Sequence, residues 1–296
     1  MTNGQTIVDR KRSNGDHSHD IKILMYHRIV DDKNLSHRYP QVCVHVRDFR
    51  HHLALLERWG FTAITFEDYQ LCLEGELNLP KKPVILTFDD GYVDTFQHAV
   101  PLLQEFGTRA VFFVLGNQQI STNIWDEKIG LPRASLINEK QILELHGAGF
   151  EIGSHSMTHA VLPALSREQA WEEILRSRAL LEILLNAPVK SFAFPYGLAD
   201  TMTKKLVKDA GYSIGCATYA GRPRFGTDPF DIHRIVVPGT SDTLGFALRV
   251  LAPFEYYSWL RWKTKLLLFA HRNGKRNGQL LANEIIEAAD IAKEQE

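Results

Sequence analysis

Short apolar runs alternate with longer amphipathic segments over most of the chain. Eight runs rich in β-branched and aromatic residues predict β-strands. The run at 84–88 is almost continuously apolar, which is typical of a parallel strand covered on both faces. The predicted strands cover residues 21–26, 61–65, 84–88, 110–115, 150–154, 191–194, 212–218 and 233–237.

The segments between these runs carry apolar residues at the spacing of amphipathic helices. Asp48 is the predicted N-cap of the first helix. Asn138 with Gln141, and Ser166 with Gln169, match the capping box that begins many helices. The predicted helices cover residues 48–59, 96–106, 138–147, 166–187 and 200–210.

This alternation of strand and helix, without two-residue hairpin turns, predicts an α/β fold with a parallel sheet. We expect a (β/α) barrel, distorted from the full form, with seven or eight parallel strands. The barrel is assigned to residues 21–240. Residues 1–20 are polar and are predicted to be a disordered tail, and residues 241–296 are predicted to be a helical extension.

Composition narrows the class of protein. The 34 Lys and Arg nearly balance the 35 Asp and Glu, so no overall charge favours nucleic-acid binding. The three cysteines are widely spaced and odd in number, which suits reduced thiols better than a disulfide framework. No apolar run could span a bilayer, and the N-terminal residues lack the apolar core of a secretion signal. We therefore expect a cytoplasmic protein.

Candidate chemistry first appears directly after the run at 84–88, where Asp89 and Asp90 precede Gly91. Two adjacent carboxylates repel each other and favour a cation beside them. Asp-Gly is also a common surface turn, so this segment alone leaves both interpretations open.

A second segment favours the metal. His155 and His159 follow the run at 150–154, and histidines four apart can share one face of a helical turn. Two imidazoles and one carboxylate, with positions left open, are typical of a hydrolytic metal site.

The predicted barrel gives a separate test, because catalytic residues of such barrels lie on the loops after the carboxyl ends of the strands. The candidate residues that directly follow predicted strands are His27, Asp89, Asp90, His155, Pro195 and Tyr196.

The segments from Thr87 to Gly91 and from His155 to His159 resemble the first two motifs of the polysaccharide deacetylase family (NodB-homology, carbohydrate esterase 4). Residues 192–197 resemble the third motif, and the resemblance extends from about residue 20 to residue 238.

The resemblance implies a divalent metal held by Asp90, His155 and His159. Zn²⁺ is the expected ion, with Co²⁺, Ni²⁺ and Fe²⁺ as alternatives. It also implies that Asp89 is the catalytic base. The backbone N–H of Tyr196, next to Pro195, is the expected donor to the oxyanion.

The chain departs from the family pattern at two points. Ala193 occupies the position where the third motif usually carries an arginine that orients the base. Arg234 and Arg28 are candidates to replace it, and both are equally candidates for structural ion pairs. The usual C-terminal leucine-histidine motif, which supplies the general acid, has no clear counterpart.

For the general acid we favour His27, because it follows a predicted strand. The segment Met25-Tyr26-His27 also resembles the poly-N-acetylglucosamine deacetylase branch of the family. His233 is the alternative, although it lies at the start of a predicted strand and so at the opposite end of the barrel.

The segment 249–276 mixes seven basic residues and one acidic residue with tryptophan, tyrosine and leucine. Such a composition suits peripheral contact with an anionic membrane. A helix that packs its aromatic side chains on the barrel is the equal alternative.

We therefore expect a metal-dependent N-deacetylase of an acetamido sugar, cytoplasmic and peripheral to the inner face of the membrane. Its substrate would be a saccharide or a lipid-linked glycan intermediate of surface-polysaccharide synthesis. The alternatives are an amidohydrolase or esterase for another acyl substrate, and a non-catalytic carbohydrate-binding relative.

Overall fold

The computed structural model describes residues 21–217 and 228–252. The predicted tail at 1–20 and residues 253–296 of the predicted C-terminal extension lie outside the described residues. Most of the basic and aromatic segment 249–276 therefore lies outside them as well.

Eight parallel strands form a nearly closed barrel, which confirms the predicted distorted (β/α) barrel. In chain order the strands are β1 (Lys22–Tyr26), β2 (Arg28–Val30), β3 (Cys43–His45), β4 (Thr62–Ala63), β5 (Pro83–Phe88), β6 (Val111–Val114), β7 (Glu151–Ser154), β8 (Ser191–Ala193), β9 (Ile214–Ala217), β10 (Ile232–His233) and β11 (Ile235–Val236). The order around the barrel is β10-β9-β8-β7-β6-β5-β1-β11, with β4 paired to β5. Strands β2 and β3 form a separate two-stranded sheet.

Residues 232–236 close the barrel because they pair with one strand on each side. Strand β10 pairs with β9, strand β11 pairs with β1, and only Arg234 separates β10 from β11. The predicted strand at 233–237 is thus two short strands, because each half follows a different neighbour. Arg234 therefore lies at the point where the barrel closes, between β10 and β11.

Helices cover the outside of the barrel. They are α1 (Lys33–Arg38), α2 (Val46–Arg58), α3 (Phe66–Glu74), α4 (Val93–Glu105), α5 (Glu139–Gly147), α6 (Arg167–Leu185), α7 (Thr201–Asp209) and α8 (Thr243–Leu251). Short 3-10 turns cover Ile124–Ile129, Leu162–Ala164 and Pro195–Gly197.

The start signals of the helices are confirmed at two of the three positions. Asn138 and Ser166 make the predicted capping boxes of α5 and α6. The N-cap predicted at Asp48 is wrong, because α2 begins earlier and His45 is its N-cap. The ring of His45 accepts a hydrogen bond from the backbone N–H of Arg47, a role that aspartate or serine more often has.

The core has two layers, as the buried run at 84–88 predicts. Leu86 and Phe88 of β5 pack under the helices, whereas Ile85 lies in the barrel interior together with Val111 and Phe113. Apolar side chains fill this interior. The candidate residues Asp89, Asp90 and His155 directly follow the ends of β5 and β7.

Helix α8 belongs to the predicted C-terminal extension, and it packs against the barrel. The ring of Phe246 is fully buried and stacks on His52 of α2, with 4.1 Å between the ring centroids. No helix within residues 21–217 and 228–252 is both long and apolar enough to cross a membrane.

Candidate metal centre and active site

The two carboxylates that directly follow β5, those of Asp89 and Asp90, point in different directions. The backbone N–H of Asp89 donates to the carbonyl of Tyr26, so this residue still follows the edge of β1. Asp90 and Gly91 then both adopt left-handed backbone conformations, with φ values of 73° and 75°. This double left-handed turn points Asp89 at Arg234 and Asp90 at the two histidines. Glycine suits the second position because it adopts positive φ without steric strain.

Asp90, His155 and His159 converge on one point. The Nε2 atoms of His155 and His159 lie 3.2 Å and 3.1 Å from Oδ1 of Asp90. All three side chains are buried, and one candidate ligand atom from each lies within 4.8 Å of the others. The predicted trio is therefore brought together.

The two histidines do not converge through a helical turn, so that part of the prediction is wrong. Ser156 and His159 have φ values of 63° and 62°, which interrupt any helix. The hydroxyl of Ser156 accepts a hydrogen bond from the backbone N–H of His159 at 3.1 Å. The backbone N–H groups of Gly116 and Asn117 also donate to this turn, at Ser156 and Met157. We refer to residues 155–159 as the histidine turn.

The donor set fits a divalent metal. Nδ1 of His155 lies 2.8 Å from the carbonyl of Ala193, which places the ring proton on Nδ1 and a lone pair on Nε2. That lone pair faces Oδ1 of Asp90, which is buried and has no hydrogen-bond partner among the described residues. Acceptors that face one another in a buried site are stabilised by a cation between them. Two imidazoles and a carboxylate suit Zn²⁺ or Fe²⁺.

Asp89 forms a bidentate ion pair with Arg234. Both nitrogen–oxygen distances are 2.6 Å, and both side chains are buried. Burial raises the pKa of Asp89, but the charge and hydrogen bonds of Arg234, together with the nearby His155 and His27, outweigh burial and leave the pKa below the usual value. The guanidinium also donates to the hydroxyl of Thr87 and lies over the ring of Phe113. Asp89 is therefore ionised and fixed in orientation.

Arg28, the other candidate to replace the arginine of the family motif, forms an ion pair away from Asp89. Arg28 pairs with Asp94 of α4, at 2.8 Å through Nε and 2.6 Å through Nη2. Ala193 is fully buried and belongs to the apolar cluster inside the barrel. An arginine at position 193 would thus point into the space where Arg234 holds Asp89.

His27 lies at the same end of the barrel as the two aspartates. It follows β1, and the register pairs Tyr26 with Phe88, the residues that precede His27 and Asp89. Nδ1 of His27 is buried and has no hydrogen-bond partner among the residues the structure describes.

The alternative, His233, was expected at the opposite end of the barrel, which is wrong: it is the last residue of β10 and pairs with Ala217, the last residue of β9. Its Nε2 atom lies 3.2 Å from Oδ1 of Asp231. Because successive residues of a strand point to opposite faces, His233 points away from the face that Arg234 presents to Asp89.

Aromatic side chains enclose His159. The ring of Trp125 stacks on it at a centroid distance of 4.3 Å, and the edge of Tyr196 meets it at 4.6 Å. Tyr196 follows the buried Pro195, has a φ of 60°, and remains 49% exposed. The long segment between β6 and α5 thus lines the site through Trp125. Trp125 itself was not singled out, and a tryptophan in a long polar connection is the signal that could have found it.

Hydrogen bonds hold the Trp125 segment in place. The hydroxyl of Tyr92 donates to Asp126 at 2.6 Å, and the side-chain amide of Asn123 donates to the same oxygen at 2.9 Å.

Backbone strain is concentrated at this site. Five non-glycine residues among those described have positive φ, and four of them belong to the site. These four are Asp90, Ser156, His159 and Tyr196. Such conformations cost about 1 to 3 kcal/mol each, and they cluster at functional sites.

Known proteins resemble this chain in sequence and in fold. The family model described as polysaccharide deacetylase matches residues 76–215. YxkH of Bacillus subtilis, which is named for the same family, is 29% identical over 222 residues, or 75% of this chain and 73% of YxkH. The poly-beta-1,6-N-acetyl-D-glucosamine N-deacetylase of Escherichia coli K12 is 31% identical over 257 residues, which cover 76% of this chain. The chain spans only 38% of that protein.

A solved structure extends the likeness to the fold. IcaB from Ammonifex degensii superposes with a TM-score of 0.64 at 25% identity, over 78% of this chain and 97% of that one. These likenesses lead to one assignment: residues 76–215 form a polysaccharide deacetylase domain, and the chain is similar to proteins named as polysaccharide deacetylases, poly-beta-1,6-N-acetyl-D-glucosamine N-deacetylases among them.

Proposed function

We propose that this protein is a metal-dependent carbohydrate N-deacetylase that hydrolyses the acetamido group of a sugar. The observation that carries the proposal is the buried trio of Asp90, His155 and His159 next to a carboxylate, Asp89, that Arg234 keeps ionised. The site lies where the barrel strands end, and the half-exposed Tyr196 marks its opening.

Asp90, His155 and His159 would hold the metal, which when bound lowers the pKa of water towards about 7 and polarises the acyl oxygen. The chain supplies the proton transfers. Asp89 accepts a proton from the attacking water, and Arg234 keeps both carboxylate oxygens in one orientation while it does so.

His27 is the proposed donor of the proton that the leaving amine requires when the carbon–nitrogen bond breaks. Its position beside Asp89 at the end of β1 supports this role. The backbone N–H of Tyr196 is the proposed donor to the acyl oxygen as negative charge develops there. The products are acetate and a free amino sugar.

A sugar is the proposed substrate for two reasons. The related protein of Escherichia coli is named as a poly-beta-1,6-N-acetyl-D-glucosamine N-deacetylase. The rings of Trp125 and Tyr196 also lie against the ligand His159 on two sides, so apolar surface adjoins the reacting group. Flat aromatic surfaces of this kind suit the apolar face of a pyranose ring.

The test is turnover of N-acetylglucosamine oligomers by the protein before and after removal of metal with a chelator. We expect release of acetate together with new free amines, and restoration when Zn²⁺ or Co²⁺ is added back. Asp89→Asn is the matched control. Turnover confined to O-acetyl esters or non-sugar amides would favour another acyl substrate, and saccharide binding without turnover would favour a carbohydrate-binding relative.

Peripheral membrane contact through 249–276 is a separate proposal, supported by the composition of that segment alone. Each Lys or Arg near an anionic surface contributes about 1 kcal/mol of attraction. The full chain should therefore bind anionic vesicles at low salt and neutral vesicles poorly. A triple variant, Arg261→Gln with Lys263→Gln and Lys265→Gln, should bind anionic vesicles more weakly. Equal binding by the variant would contradict this proposal and leave a lipid-linked substrate without support.

A further inference from the structure

Helix α6 holds the histidine turn from outside the site through one side chain, Glu173. Its Oε2 atom accepts hydrogen bonds from the backbone N–H groups of Met157 and Thr158, at 3.0 Å and 2.9 Å. Its Oε1 atom accepts a third from the hydroxyl of Thr158 at 2.8 Å. Both oxygens of this carboxylate are therefore bonded to residues that lie between His155 and His159.

The histidine turn needs such support because its backbone is strained. Ser156 and His159 are left-handed without being glycine, a conformation that is unfavourable for a residue with a Cβ atom. Strained residues persist only where surrounding contacts hold them. Within the turn, the Ser156 hydroxyl supplies one such bond, to the backbone of His159.

Glu173 is a strong acceptor in a fixed place. Hydrogen bonds to an ionised carboxylate are about twice as strong as those between neutral groups. Helix α6 is anchored against the end of β7, since the hydroxyls of Ser154 and Ser177 lie 2.8 Å apart and Ile174 is fully buried. The helix packs so closely here that a Cβ on Gly116 would come within 2.4 Å of the Ser177 backbone. The position of α6 therefore dictates the position of the turn.

We propose that Glu173 is a positioning residue that sets the metal affinity of the Asp90, His155 and His159 centre. It acts through the histidine turn, by holding the left-handed conformation in which both imidazoles face Asp90. This proposal rests on the proposed function, because it assumes that the trio binds a metal.

The test compares metal affinity among the full-length protein, Glu173→Ala, Glu173→Gln and a control, Glu172→Ala. Glu172 is the neighbouring residue on the same helix, with its side chain 62% exposed and its carboxylate 4.0 Å from Nε of Arg176. Dissociation constants for Zn²⁺ and Co²⁺ are measured by competition with a chelator, and the Co²⁺ absorption spectrum reports the ligand geometry. Melting of the metal-free proteins is followed in parallel.

We expect Glu173→Ala to weaken metal binding about 10- to 100-fold, the range found for groups that orient metal ligands. Glu173→Gln should lose less, since its amide oxygen can still accept from both backbone N–H groups. Glu172→Ala should bind like the unaltered protein. A role in stability alone would lower the melting temperature and leave the dissociation constant and the Co²⁺ spectrum unchanged.

Unchanged metal affinity in both Glu173 variants, with a wild-type protein that does bind metal, overturns this inference and leaves the proposed function standing. A folded wild-type protein that binds neither ion overturns both. If Glu173→Ala fails to fold, the comparison of Glu173→Gln with Glu172→Ala decides the question by the same criterion.

Discussion

Arg234 and Asp89, which are 145 residues apart in the chain, form a buried bidentate pair with both nitrogen–oxygen distances at 2.6 Å. The guanidinium arises from the segment that closes the barrel, between β10 and β11. The position at which the family motif usually carries an arginine holds Ala193, whose side chain faces the same interior. Only β9 lies between β8 and β10, so an arginine on the segment between β10 and β11 reaches this carboxylate from two strands along the barrel.

Replacement of Arg234 should therefore be costly. In Arg234→Met the carboxylate of Asp89 stays buried without its partner, and loss of one member of a buried pair costs about 3 to 5 kcal/mol. We expect a lower free energy of unfolding, measured by urea denaturation, and a reduced kcat. Arg28→Met removes an arginine that pairs with Asp94 and should leave the orientation of Asp89 unchanged.

A second change tests whether the arginine can be moved back. Ala193→Arg in the Arg234→Met background places a guanidinium at the family position. Partial recovery of kcat would support the exchange of positions. Wild-type kcat in Arg234→Met alone would show that Asp89 does not need Arg234.

The metal assignment predicts loss of both metal and activity in His155→Ala. The imidazole of His155 faces Asp90 and is oriented by the carbonyl of Ala193, so its loss removes one of the three candidate ligands. Metal content is measured by elemental analysis after dialysis. His98→Ala is a suitable control, because this histidine lies on α4 near Asp31. One full equivalent of tightly bound metal in His155→Ala would contradict the assignment.

Asp89→Asn separates the base from the metal ligands. The amide cannot accept a proton at neutral pH, whereas Asp90 and both histidines remain, so metal content should be unchanged. General base catalysis typically contributes roughly 10² to 10⁴-fold, and we expect kcat to fall within that range. A kcat near that of the unaltered protein would assign Asp89 a structural role only.

The loss of activity on replacing His27 should depend on whether the leaving group of the substrate needs a proton. An amine must be protonated as it leaves, whereas the phenolate of an activated aryl acetate leaves without a proton. His27→Gln should therefore lose much more kcat/KM on an acetamido sugar than on the aryl acetate. His233→Gln is the control, and an equal loss on both substrates in His27→Gln would remove His27 from the role of acid.

The buried carboxyl group of Glu151 should make the stability of the protein depend on pH, independently of the metal. It is buried at the start of β7, where it accepts hydrogen bonds from Ser191 and from the backbone of Glu67. Burial, with a smaller contribution from the Glu67 charge, raises its pKa from 4.5 to about 7. The folded state thus favours the neutral acid, so this contribution to stability is present at low pH and is lost as pH rises through 7.

The measurement is urea unfolding of the wild-type protein and Glu151→Gln at pH 5 and pH 8. Glutamine does not ionise, so between these values the variant should gain about 2 to 3 kcal/mol relative to the wild type. The comparison between proteins removes the contributions of all other titrating groups. A constant difference at both pH values would show that Glu151 is ionised throughout.

Some features of this protein follow from short segments of its sequence. The apolar run at 84–88, the capping boxes at Asn138 and Ser166, and the positions of Asp90 and His155 directly after strands are local. Local signals of this kind predict the barrel and the end of it that carries the site, because the carboxyl ends of parallel strands all lie at one end of a barrel. The family motifs lie within the same segments, so the metal trio could be named before the structure.

Other features depend on contacts between distant parts of the chain. The sequence could not decide whether Arg234 or Arg28 is the partner of Asp89, because both side chains are long and both lie in or close after predicted strands. The histidine turn is left-handed where a helical turn was predicted, since bonds from Gly116, Asn117 and Glu173 determine its backbone. Trp125 meets His159 only because Tyr92 and Asn123 hold its segment over the site. Residue spacing carries no information about such contacts, since their energies arise only when the folded elements are packed together.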